Sequence, residues 1–113
     1  MQLKSKALLH DIKQAIDLID RFTSSKSFED YSGDVMVRSA VERQLMLIGE
    51  ALNQMTKLDP GIAPKISDHR RIIGLRNILV HSYAKVDDRV IWSIAKDKLP
   101  RLYRDVAALL GTS

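Results

Sequence analysis

The chain has 113 residues, of which 45% are hydrophobic and 28% charged, and it contains no cysteine. These values predict a single domain over residues 1–113, and they exclude disulfides, thiolate metal sites and a disordered composition. The formal net charge of +4, from 18 basic and 14 acidic residues without a basic block, is compatible with a polyanionic partner such as RNA but does not identify one.

The first segment, from about residue 3 to 23, repeats apolar residues at the three- and four-residue spacing of one helix face. Charged residues recur through its start, MQLKSKALLHDIKQAID, so it lacks the uncharged core of a signal peptide. No apolar run in the chain exceeds five residues, whereas about 20 are needed to cross a bilayer. We therefore predict a cytoplasmic protein with no membrane partner.

A second helix is predicted after the polar break TSSKS, beginning near Ser32 or Asp34 and ending near Lys57. Serine and aspartate are both favourable N-cap residues. The apolar stripe of this helix consists of Val37, Val41, Leu45, Ile48, Leu52 and Met55.

The same helix carries polar residues whose role stays open at this point. Arg38 and Glu42 border the apolar stripe and could line a cleft, or they could belong to a surface ladder of charge pairs worth about 0.2–0.5 kcal/mol each. Gly49 costs about 1 kcal/mol relative to alanine inside a helix, which predicts a close approach by another helix. Glu50 could be a polar contact of the site or simply solvated.

The loop DPGIAP precedes three further helices, which together predict an all-α, up-and-down bundle of four to five helices. Their boundary signals are caps at Ser67 or Asp68 and at Asp87 or Asp88, Pro100 in a first turn, and Gly111 after the last helix.

The stretch RNILVHSY, at the end of the third predicted helix, places four polar residues in an apolar run. Asn77 and His81 are four residues apart and share a helix face, so the amide could orient the imidazole. Arg76 lies about 140° around the axis and about 7.5 Å along it from His81, within reach of a common ligand. Tyr83 follows at the helix end.

These residue types suit the cleavage of RNA by internal transesterification. Histidine serves as a general base or acid near neutral pH, and arginine binds phosphate with two donors. No metal or cofactor is required. Because one motif supplies a single histidine, a homodimer that brings two copies of Arg76 and His81 into one cleft would provide both an acid and a base.

Each of these residues, considered alone, also has a purely structural explanation. A helix-terminal histidine such as His81 is most often structural, favoured as a cation by the helix dipole. Arg76 alone is most often exposed or ion-paired, and Tyr83 alone most often packs against the core with its hydroxyl in water. Trp92 is expected to fill the core or a dimer interface rather than to stack on bases.

RNILVHSY resembles the Arg-x4-6-His motif of HEPN-domain ribonucleases, and the chain is similar to the HepT-like branch of that superfamily. The resemblance includes RSAVERQLMLIGEAL in the second helix, Gly-Leu-Arg-Asn at 74–77, and VDDRVIWSIAKDKLPRL after Tyr83. It extends from about residue 30 to 105.

The resemblance implies a homodimeric, HEPN-like helical bundle that acts as the toxin of a toxin–antitoxin module. Members of the HepT-like branch cleave RNA without metal, using the residues that match Arg76 and His81. The implied partner is a minimal nucleotidyltransferase antitoxin, which silences the toxin by transferring AMP onto the motif tyrosine, here Tyr83. The alternative is a non-catalytic helical subunit that binds a nucleotide or the transferase, and a purely structural adaptor is a third possibility.

Overall fold

The computed structural model describes residues 1–81 and 86–111. Within these ranges all regular structure is helical, which confirms the predicted all-α class. No helix among the described residues combines the length and the apolar character that crossing a membrane requires. The helices are α1 (Leu3–Thr23), α2 (Phe28–Ser32), α3 (Val35–Leu58), α4 (His69–His81), α5 (Asp88–Ser93) and α6 (Leu99–Leu110), with a 3-10 turn at Ala63–Lys65 and a π-helical turn at Ile94–Lys98.

The long helices run up and down, with α3 packed between α1 and α4. The Ser5 hydroxyl donates to the Asp59 carboxylate at 3.4 Å, which joins the start of α1 to the end of α3. The Lys96 ammonium donates to the Thr23 carbonyl at 3.2 Å, which joins the end of α1 to the turn before α6. Helix α1 therefore runs antiparallel to both α3 and α6, and the predicted bundle is confirmed.

The core forms where the predicted apolar stripes face one another. Leu9, Ile12, Leu45, Ile48 and Leu52 are fully buried between α1 and α3 and their neighbours. Burial of this kind contributes about 25 cal/mol per Å² of apolar surface and outweighs the modest helix propensity of isoleucine. Periodicity in the sequence thus identifies most of the core.

The short helix α2 was not predicted, because five residues are too few to show a helical period. A capping box holds its start: Asp30 N–H donates to the Ser27 hydroxyl at 3.1 Å, and Ser27 N–H donates to the Asp30 carboxylate at 2.9 Å. Phe28 and Tyr31 of α2 pack against Trp92, with ring centroids 6.3 and 5.4 Å away. Trp92 is thus a packing residue, as expected.

The fourth and fifth predicted helices form one continuous helical segment, in which the π-turn links α5 to α6. Pro100 has no N–H, and its ring would clash with the carbonyl of Lys96 in a regular α-helix. The turn before it is widened, so that Leu99 N–H donates to the carbonyl of Ile94, five residues back. The predicted end is confirmed at Gly111, whose φ of 77° is a left-handed C-cap.

Candidate active site

The residues Arg76, Asn77 and His81 lie in the last two turns of α4. The Arg76 side chain is 24% exposed, and Asn77 and His81 are more exposed to solvent. His81 is the last residue of the helix, where a cation is favoured by the helix dipole. Tyr83 lies outside the described residues, so its predicted place beside His81 stays a prediction.

Arg76 lies at a close approach between α3 and α4. A Cβ atom built on Gly49 would lie 2.3 Å from the Arg76 Cβ and 3.0 Å from the Ile72 carbonyl oxygen. Real Cβ atoms do not come so near, so only glycine allows this packing. The prediction that Gly49 marks a close helix approach is confirmed.

The Arg76 guanidinium is ion-paired with Glu50 of α3. Its Nη2 lies 2.6 Å from Glu50 Oε2, while Glu50 Oε1 accepts a hydrogen bond of 3.4 Å from Gln54 Nε2. Glu50, whose role stayed open in the sequence, is therefore a polar contact of the motif. Residues 50 and 76 lie on different helices, so no local spacing could have paired them. The adjacent Gly49, which predicted a close helix approach, was the one feature of the sequence that pointed to this contact.

Asn77 contacts the arginine of the motif. Its Oδ1 accepts a hydrogen bond of 3.0 Å from Arg76 Nη1, so the amide and Glu50 hold the guanidinium from two directions. The hypothesis that Asn77 orients His81 stays a prediction. Its described contact adds a different role, the orientation of Arg76.

Arg38 and Glu42, the possible cleft residues, belong to a polar cluster shared with α2 and α5. Arg38 Nη1 donates to the carbonyl of Ser32, and its Nε lies 4.0 Å from the Asp88 carboxylate. The Ser32 hydroxyl donates to Asp88 at 3.2 Å. Arg38 thus has contacts that hold α2 and α5 against α3, and a role for either residue in a cleft stays a prediction.

Burial shapes the titration of this polar cluster. It raises the pKa of Glu42, and the nearby charge of Asp88 raises it further, while Arg38 lowers it. Burial also raises the pKa of Tyr31, whose hydroxyl has no hydrogen-bond partner within the described residues. A carboxylate charge at Glu42 is therefore disfavoured by its surroundings.

Chemically, the end of α4 offers a partly exposed guanidinium of fixed orientation and an exposed imidazole on the same helix. Arginine provides permanent positive charge and several N–H donors for phosphate oxygens. Histidine exchanges protons near neutral pH. This combination can bind a phosphodiester and move a proton beside it.

Comparison with known proteins gives an independent view of the chain. The family model described as Ribonuclease HepT-like matches residues 12–109. A protein of Thermococcus cleftensis named as a probable ribonuclease HepT is 37% identical over 102 residues, which cover 90% of this chain and 92% of that protein. Similar coverage is found for a candidate RNase of Methanocaldococcus jannaschii, 32% identical over 89% of this chain and 92% of its own. Another, from Caldanaerobacter subterraneus, is 32% identical over 91% of this chain and 90% of its own. No solved structure shows a significant match.

Proposed function

Because this chain belongs to the HepT-like ribonuclease family, we propose that it is a metal-independent endoribonuclease that cuts RNA with Arg76 and His81. The observation that carries the proposal is the placement of both residues at the end of α4, with the guanidinium held in a fixed orientation and partly exposed. The family supplies the reaction class, and the helix end supplies residues suited to it.

The proposed reaction is an in-line transesterification. His81 removes the proton of a ribose 2′-OH, and the oxygen attacks the adjacent phosphorus. The bond from phosphorus to the 5′-oxygen breaks, and that oxygen takes a proton to leave as a 5′-hydroxyl. The other product carries a 2′,3′-cyclic phosphate. Arg76 stabilises the negative charge that builds on the phosphoryl oxygens, where preorganised donors have the largest effect.

The leaving 5′-oxygen needs a proton from a second group, which a homodimer would supply. One His81 acts as the base, and His81 of a second copy donates the proton to the leaving oxygen. Exposed apolar side chains on the two helices that carry Arg76 and Glu50 are available to such an assembly: Ile78 and Val80 of α4 are 52% and 44% exposed, and Leu47 of α3 is 42% exposed. Burial of such side chains against a second copy would stabilise the assembly.

We further propose that the protein is the toxin of a toxin–antitoxin pair. A nucleotidyltransferase antitoxin would silence it by joining AMP to Tyr83, as the phenol oxygen attacks the α-phosphorus of ATP and pyrophosphate leaves. The added phosphate would bring negative charge near His81, where the RNA backbone is expected to bind. The alternative remains a non-catalytic subunit that serves only as a binding partner of the transferase.

One experiment tests these proposals together. The purified protein is incubated with RNA in EDTA, with or without prior treatment by the transferase, ATP and Mg²⁺. The untreated protein should cleave, and the treated protein should be silent and one or more AMP masses heavier. His81→Ala should lose at least about 100-fold in rate, as expected for a general acid–base, while His10→Ala, which changes an exposed histidine of α1, should not. Tyr83→Phe should cleave and resist silencing.

Three results would contradict the proposals. Loss of cleavage in EDTA would overturn metal independence, and equal rates for His81→Ala and the wild type would overturn the role of His81. An untreated protein that binds the transferase and never cleaves RNA would favour the non-catalytic alternative.

A further inference from the structure

The guanidinium of Arg76 is part of a chain of four polar side chains that connects α3 to α4. Gln54 Nε2 donates to Glu50 Oε1 at 3.4 Å, Glu50 Oε2 lies 2.6 Å from Arg76 Nη2, and Arg76 Nη1 donates to Asn77 Oδ1 at 3.0 Å. We propose that Glu50 is a positioning residue, which orients Arg76 for the scissile phosphate of RNA. This inference rests on the proposed ribonuclease function and extends it to a residue of another helix.

The close packing of α3 and α4 determines where the contact between Glu50 and Arg76 forms. Glu50 directly follows Gly49, whose lack of a side chain lets α3 pack closely against Arg76 Cβ and the Ile72 carbonyl oxygen of α4. The two charged side chains therefore begin from closely packed helices, and both helices are anchored in the core through Ile48, Leu52 and Ile72. A charge pair held between two rigid elements has less freedom to drift than a pair at a loop.

The expected sizes of the two possible effects indicate that Glu50 positions Arg76 rather than inhibits the binding of RNA. The Glu50 side chain is 41% exposed, although its Oε2 atom is buried. An ion pair that is partly screened by solvent in this way would weaken phosphate binding by roughly a few-fold if RNA had to displace it. By contrast, a catalytic group displaced by about 1 Å can cost roughly 100-fold in rate. The larger effect of Glu50 is therefore expected on the orientation of Arg76.

The contacts also leave room for the substrate. Arginine carries five N–H donors, and contacts with Glu50 and Asn77 leave others available. Because those two contacts fix the plane of the guanidinium, the remaining donors point in a set direction. Phosphate recognition by arginine depends on such planar, two-donor geometry.

The first test separates kcat from KM for an RNA oligonucleotide. Glu50→Ala should lower kcat by about 10- to 100-fold, with KM unchanged or a few-fold lower, because a negative charge near the RNA is removed. Glu50→Gln should recover part of the loss, since its amide oxygen can take the place of the carboxylate oxygen beside Arg76. Asp17→Ala removes an exposed carboxylate on the side of α1 that borders α6, so it serves as the matched control and should behave like the wild type.

The second test observes the arginine without RNA. In ¹⁵N NMR spectra, the side-chain N–H signals of Arg76, assigned by their absence in Arg76→Lys, should be protected from solvent exchange in the wild type. They should lose that protection in Glu50→Ala, while its circular dichroism and cooperative melting show an intact fold. Glu50→Gln should lie between the two.

The outcomes distinguish this inference from the proposed function. If the wild type cleaves RNA and Glu50→Ala has the same or a higher kcat, Glu50 does not position Arg76 and the inference is overturned. Loss of kcat together with unchanged Arg76 signals would also overturn it, because the effect would not pass through the arginine. If the wild type does not cleave RNA, the proposed function fails, and the NMR comparison alone decides whether Glu50 orients Arg76.

Discussion

Glu42 shows how a single residue of α3 can carry an electrostatic cost. Burial raises the pKa of its carboxyl, and the charge of Asp88 adds to this effect. The folded chain therefore holds the Glu42 proton more tightly than the unfolded chain. By linkage, stability falls as pH rises from the ordinary carboxyl pKa through the raised one.

Replacing Glu42 with glutamine should remove the loss of stability that accompanies ionisation of the carboxyl. The melting temperature of Glu42→Gln should exceed that of the wild type near pH 7, and the gap should close below about pH 4, where the carboxyl is protonated in both states. Thermal melts at several pH values measure the difference, and Glu29→Gln, which alters an exposed residue of α2, is the control. Equal melting temperatures near pH 7 would mean that the Glu42 charge carries no such cost.

The contact between α3 and α4 is the element-scale feature on which the site depends. In Gly49→Ala the new methyl group would meet the Arg76 Cβ at 2.3 Å and the backbone of Ile72 at 3.0 Å. Separating the helices should cost about 1–3 kcal/mol, which outweighs the gain of up to about 1 kcal/mol in helix propensity. We expect a net loss of about 1–2 kcal/mol in unfolding free energy, measured by urea denaturation.

Gly74→Ala is the matched control for this prediction. A Cβ atom on Gly74 would meet no atom of the described residues within 4 Å, so only the gain in helix propensity should appear, and the variant should be slightly more stable than the wild type. A Gly49→Ala variant stabilised to the same extent would show that the two helices do not require glycine at their contact.

Long elements could be predicted from the sequence because their apolar period repeats over several turns. The predicted bounds of 3–23 for the first helix match α1, and Asp34 caps α3 through Met36 N–H at 3.0 Å. The helix α2 escaped detection because its stability comes from a capping box and from aromatic contacts with Trp92 across the fold. The link between α5 and α6 likewise depends on how the chain accommodates Pro100, which local signals do not specify.

At the scale of the whole molecule, the sequence identified the candidate site only where its residues share one helix. Arg76, Asn77 and His81 are close in sequence, so their spacing placed them together at the end of α4. Glu50 reaches Arg76 only because α3 and α4 pack side by side, a tertiary contact that helical spacing does not encode. One chain brings only His81 to the end of α4, so the acid–base pair that we propose would need a second copy.

Whether the 2′-oxygen of the ribose is the nucleophile can be measured directly. A short RNA is compared with the same strand carrying one 2′-deoxyribose at the mapped cleavage position, both in EDTA, and the products are identified by mass spectrometry. We expect 2′,3′-cyclic phosphate and 5′-hydroxyl ends from the RNA, and no cleavage at the deoxy position. Cleavage at that position, or products with 5′-phosphate ends, would contradict an attack by the 2′-oxygen and with it the roles assigned to Arg76 and His81.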